Sequence, residues 1–174
     1  DFPDIRAVTT GYYDEFKDLK MRNGLTLRAF IEEQLEICSS PLSNNEIRAH
    51  LEVIRQAIQT LDANDFFKSL SQDLIQAYGR QDMRLSVRSN NELEDLLGAG
   101  LYRSSVAENL SPDELSKAFR SLFASMFTYR AYNIRKFWGL NEARLSMAAL
   151  VHPYVEDLYH GTGQIRFENG ETVM

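Results

Sequence analysis

Between residues 79 and 83 the spacing of the apolar residues changes, and this change constrains the fold more than any other feature of the chain. Before it, apolar residues recur at three and four positions: Ile47, Leu51, Ile54, Ile58 and Leu61, then Phe66, Leu70, Leu74 and Ala77. Each run places one apolar stripe along a helix. After Gly79 the period falls to two, with Met83, Leu85 and Val87 alternating with Arg84, Ser86 and Arg88. That is a half-buried strand whose polar face turns to solvent or ligand. One element cannot hold both periods, so the chain is expected to be α+β, with a helix-rich N-terminal part followed by a mixed or antiparallel sheet. Residues 1–174 read as a single domain or a fragment of one, mainly helical over 1–80, with the sheet and a long helix, 112–138, over 81–174.

Local signals fill in the elements. Thr9 or Thr10 can cap a helix to about Met21, stopped by Asn23-Gly24, and a second helix runs from about Thr26 to Cys38. Ser43-x-x-Glu46 and Ser111-Pro112-Asp113-Glu114 are capping boxes that open the next helices, and Gly79 and Gly139 are stops. A short strand is expected around Leu101 to Val106 and a short helix from Asn141 to about Arg144. The continuous run Ala148-Ala149-Leu150-Val151 suits a central strand buried on both faces. Asn169-Gly170 between Gln164–Glu168 and Glu171–Met174 is a two-residue hairpin turn, and its second strand reads as cut short.

Composition narrows the function classes. Twenty-five acidic against nineteen basic residues leave a net charge of −6, which argues against nucleic acid, whose phosphates demand clustered Lys and Arg. The single cysteine, Cys38, lies in a helical pattern and is expected to be a small buried hydrophobe in a reducing, cytoplasmic setting. No run is long and apolar enough to span a bilayer. His50, His152 and His160 have no metal-ligand spacing with one another. Tyr129-Arg130-x-Tyr132 is at helical spacing and reads as core rather than as a base-stacking surface.

What core building explains least is Val87-Arg88-Ser89-Asn90, the acidic loop through Glu92, Glu94 and Asp95, and the return through Gly98-Ala99-Gly100. A strand delivers a guanidinium to a rim, and glycines then let backbone amides approach an anion such as phosphate. The carboxylates are either a solvated loop or a partner that orients Arg88.

These segments, taken in order with Ile5–Phe16, Phe123-Ala124-Ser125-Met126-Phe127-Thr128-Tyr129-Arg130-Ala131, Met147–Val155 and His160-Gly161-Thr162-Gly163, resemble the N-terminal nucleotide-binding domain of phosphoenolpyruvate synthase and pyruvate phosphate dikinase. Residues 20 to 80 match only as helical filler. The family reads V-R-S-S, E-D-L-P-G and A-G-Q through the loop, W-x-S-x-[WF]-x-x-R-A in the long helix, and M-x-V-L-V-Q-x-M-V in the late strand.

The resemblance implies a partial ATP-grasp-like fold that clamps ATP and Mg2+ for transfer to a histidine on a separate phosphohistidine domain. It implies that Arg88 contacts the triphosphate, that Gly100 offers its amide to phosphate, that Ser104 supplies a hydroxyl and that His152 stands near the adenine. The chain departs from the pattern at Asn90, at His152 in place of glutamine, and in a loop between Asp95 and Gly100 that is shorter and lacks its proline.

The family's phosphate-binding lysine is expected upstream of Val8 and its metal ligands downstream, so the chain is expected to carry about half of one nucleotide site. Alone it would be inactive, and it could self-associate through open strand edges. The leading expectation is an ATP-binding segment of a phosphotransferase. The alternatives are a non-catalytic relative with an interaction or regulatory role, and an unrelated acidic, helix-rich binding module.

Overall fold

The computed structural model of the chain describes residues 4–91, 100–140, 145–156, 166–168 and 171–173. Its elements run β1 (Arg6–Val8), α1 (Thr10–Lys17), α2 (Leu27–Cys38), α3 (Asn44–Thr60), α4 (Asn64–Tyr78), β2 (Leu85–Asn90), β3 (Ser105–Ala107), α5 (Pro112–Ser125), α6 (Tyr129–Phe137), β4 (Ala148–Pro153), β5 (Arg166–Glu168) and β6 (Glu171–Val173). The fold is α+β. One four-stranded sheet, ordered β1-β4-β2-β3, is antiparallel at every pairing. Strands β5 and β6 pair separately, antiparallel, with Glu168 opposite Glu171; the turn expected at Asn169-Gly170 lies outside the described residues. No helix of the described residues is long and apolar enough to cross a membrane.

The helices begin where side chains can take up orphan amides. Thr26 Oγ1 accepts the Ala29 amide at 3.2 Å, and Ser111 Oγ accepts that of Glu114 at 3.4 Å, with Pro112 at the first helical position. Ser43 and Glu46 form a reciprocal box, the Ser43 amide donating to Glu46 Oε2 at 2.8 Å. Gly79 ends α4 with φ +72°, a conformation that a Cβ would strain.

Two helices end sooner than the apolar pattern suggests. Helix α1 stops at Lys17, not near Met21: the chain turns back through Gly24 at φ +86°, and a bridge joins Lys20 to Thr26. Arg28 fastens this turn, its Nε donating to Asp18 at 2.6 Å and its Nη2 to the Asp14 carbonyl at 3.0 Å. The helix expected over 112–138 is two helices, because the buried Met126 and Phe127 leave the axis and Thr128 caps a new start on the Ala131 amide at 3.2 Å. The inward stripe of α4 is also rotated. Phe67, Leu70, Ser71 and Leu74 are buried, while Phe66 is half-buried and Ala77 exposed. The short helix expected at Asn141–Arg144 lies outside the described residues.

Helices α1 and α5 pack on one face of the sheet, with α3 and α4 behind α5. At the centre Phe16, Phe67, Phe119 and Phe123 meet with ring centroids 5.1–6.4 Å apart, in the tilted and edge-on geometries that aromatic quadrupoles favour. Cys38 is fully buried in this core. Leu85 and Val87 of β2, and Ala149 and Val151 of β4, close the sheet side of it. Strand β4 is central, as expected, yet it is buried on only one face: Ala148, Leu150 and His152 are half-exposed. Nothing among the described helices covers that second face.

Candidate functional site

The uncovered face of the sheet carries two of the four residues that the sequence marks out, Arg88 and His152. The alternation of β2 buries Leu85 and Val87 and turns Ser86 and Arg88 outward. In β4 the same alternation turns Leu150 and His152 outward. The register then sets Arg88 opposite Leu150 and Ser86 opposite His152, so His152 stands diagonal to Arg88, within reach of a long side chain. On the other side, β2 pairs with β3 through Leu85–Ala107, Ser86–Val106 and Val87–Ser105. The pairing ends at Val87–Ser105, and Ser104 is the exposed residue just before β3.

The guanidinium of Arg88 is exposed and has no ion pair among the described residues. Its near neighbour in sequence behaves differently. Arg84 donates to Glu156 at 2.8 Å, lies 2.9 Å from Glu108 and covers the Tyr154 ring at 4.3 Å. The Glu108 carboxylate holds the Arg84 charge above its usual range. Arg84 thus ties the ends of three strands together, while Arg88 keeps its fork for something else. The ring of His152 sits with Nδ1 2.9 Å from the Pro153 carbonyl. A proton on Nδ1 would satisfy that carbonyl and leave Nε2 as an acceptor toward the open face.

Gly100 stands apart. Its φ of +88° leaves open space where a Cβ would lie, and it lines a cleft of about 410 Å³ together with Arg103, Arg55 of α3 and Ser121 of α5. Glu92, Glu94, Asp95 and Gly98 fall outside the described residues. The acidic partner expected for Arg88 therefore has no structural account.

Periodicity and motif reading missed the residues that hold the segment from Gly100 to Ser104. The Arg103 amide donates to Ser125 Oγ at 3.1 Å, and Ser125 Oγ in turn donates to the Leu122 carbonyl at 2.6 Å. Arg135 is fully buried, its Nη1 donating to the Met126 carbonyl at 2.7 Å and lying 3.5 Å from the Tyr102 hydroxyl. It satisfies a carbonyl freed by the break between α5 and α6 and braces Tyr102 at the same time. A signal for it existed: Arg135 lies three and four residues beyond Tyr132 and Ala131, on the buried stripe of α6.

Among the described residues no group of three or more His, Cys, Asp or Glu could hold a metal ion. His50 bonds Gln34 Oε1 through Nδ1 at 2.8 Å between two helices. The outer face offers groups suited to anion and hydrogen-bond recognition: the Arg88 guanidinium, which has no ion pair among the described residues, and the His152 imidazole. The sequence model of the family described as pyruvate phosphate dikinase, AMP/ATP-binding domain, matches residues 1–163. With both the Arg88 strand and the His152 strand inside that match, the chain belongs to the pyruvate phosphate dikinase family of AMP/ATP-binding domains.

Proposed function

We propose that the outer face of the sheet is the nucleotide-binding surface of this domain and that it serves ATP-dependent phosphoryl transfer. In this reading Arg88 forks onto the triphosphate, Ser104 donates its hydroxyl beside it, the Gly100 amide meets phosphate at the return of the loop, and His152 lies toward the base. The observation that carries the proposal is the guanidinium of Arg88, exposed and without an ion pair among the described residues, on a face that no described helix covers, with His152 its diagonal neighbour by register. A rigid, always-charged fork suits the charge that builds on transferring phosphoryl oxygens.

Magnesium enters this reading as the counter-ion that ATP brings with it, since the described residues offer no carboxylate cluster to hold it. Asn90, His152 and the shortened loop favour a second reading, a non-catalytic relative that binds nucleotide, or its former site, as an interaction or regulatory domain. In both readings ATP binding is read from thermal unfolding. Magnesium-ATP at a hundred times its Kd adds about 2.7 kcal/mol, roughly 5–10 °C in melting temperature for a domain of this size. Arg88→Ala is expected to lose most of that shift. An equal shift in Arg88→Ala would remove Arg88 from the site, and no shift in the unaltered chain would remove the nucleotide. A phosphorylated product from a histidine-bearing acceptor, formed with ATP present, separates the catalytic reading from the regulatory one.

A further inference from the structure

Gly100 apart, the cleft that it lines is built from residues that the nucleotide reading does not use. Arg55 and Ser121 line it from α3 and α5, Arg103 from the segment before β3, and Thr128 from the start of α6. It adjoins a second hollow of about 300 Å³ that shares Arg55 and Thr128 and adds Arg48, Glu52 and Tyr129. Arg48 and Arg55 are seven residues apart on α3, two turns along one face. Arg48 lies flat over the Tyr129 ring at 3.7 Å, which fixes its position. Arg55 pairs with Glu52. The Arg103 side chain has no partner among the described residues and is exposed.

Among the described residues, three guanidiniums and one carboxylate line the cleft and the hollow beside it, a surplus of two positive charges in a chain whose net charge is −6. Helix α6 adds to it. Its first turn begins at the rim of the cleft; the Ala131 amide is taken by the Thr128 hydroxyl and the Tyr132 amide by the Thr128 carbonyl, and the positive end of the helix dipole adds to the local charge. A carboxylate would balance half the surplus, whereas a phosphate dianion balances it and matches the planar forks of arginine.

We propose that this cleft binds a small phosphomonoester dianion, held by Arg55 and Arg103 with Arg48 and the first turn of α6, as a site separate from the outer face of the sheet. The test is titration of the 174-residue chain with glycerol 3-phosphate at constant ionic strength. Amide shifts at Ser121, Thr128 and Arg130 report on the cleft, and sodium acetate serves as the monoanion control. Saturable shifts are expected, about tenfold or more weaker in Arg55→Gln/Arg103→Gln and unchanged in Arg88→Ala. Arg103→Gln alone, at an exposed side chain, guards against loss of fold in the double variant and is expected to weaken binding in the same direction. The proposal falls if no saturable shift appears, if acetate binds as tightly, if the Arg103→Gln chain binds like the unaltered one, or if Arg88→Ala abolishes the effect.

Discussion

The two faces of the four-stranded sheet share one backbone and differ in almost everything else. On the helical face Leu85, Val87, Ala149 and Val151 are sealed under α1 and α5. On the outer face Ser86, Arg88, Leu150 and His152 keep partial or full exposure. On the polar side the two arginines of the strand region also differ: Arg84 is used up by Glu108, Glu156 and Tyr154, and Arg88 has no ion pair among the described residues. A period-two strand therefore lets one segment serve stability and recognition without compromise between them, since each residue answers to one face only.

The sharpest way to break this division is to truncate one residue from each face. Leu85→Ala, at a fully buried position, is expected to cost about 2–5 kcal/mol of unfolding free energy, measured by urea denaturation. A cost below about 1 kcal/mol would mean that the packed face is not what holds the sheet. Smaller in effect, Thr128→Ala removes the cap that restarts the chain at α6 and should cost about 1 kcal/mol. A neutral result there would show that Arg135 alone holds the break.

Ser43→Ala probes the helical part through pH. The Ser43 hydroxyl and amide hold the Glu46 carboxyl below its usual value of 4.5. A carboxyl depressed by folding stabilises the native state above its unfolded pKa and loses that contribution as pH falls through the folded one. The gap between the unaltered chain and Ser43→Ala should thus be full at pH 7 and narrow below 4.5; a gap that widens on acidification would contradict the box. The smallest effect is expected on the outer face, where Arg88→Ala should change unfolding free energy by no more than about 0.5 kcal/mol. A larger loss would make Arg88 structural and weaken its assignment as a nucleotide contact.

Much of the fold was legible because it rests on local rules. The capping box at Ser43, the stop at Gly79 and the β5–β6 pairing each use residues within a few positions of one another, and each is found where expected; at Ser111 the hydroxyl caps the helix, but the reciprocal arm of the expected box does not form, the Ser111 amide donating to Asn109 instead. The break at Met126–Thr128 was hidden because Met126 and Phe127 stay buried on both readings, so apolar spacing alone does not separate a continuous helix from a restarted one. The early end of α1 was hidden for a related reason: it depends on Arg28 reaching back to Asp14 and Asp18, a contact ten residues or more away in the chain.

The candidate site divides along the same line. Strand period singled out Arg88, the family resemblance pointed to His152, and the match over residues 1–163 agrees with that family. Local spacing could not say that His152 would stand diagonal to Arg88, because strand pairing joins segments some sixty-four residues apart, and one residue of slip would have sent the side chain to the buried face. Nor could it say that Gly100 would open onto a cleft lined by Arg55 and Arg103. What the sequence by itself determined is the set of elements and the chemistry each can present, since caps, turns and periods act over a few residues. Only the tertiary structure decided which of those groups meet and which guanidinium stays unpaired, because register and helix packing are settled by burial across the whole core.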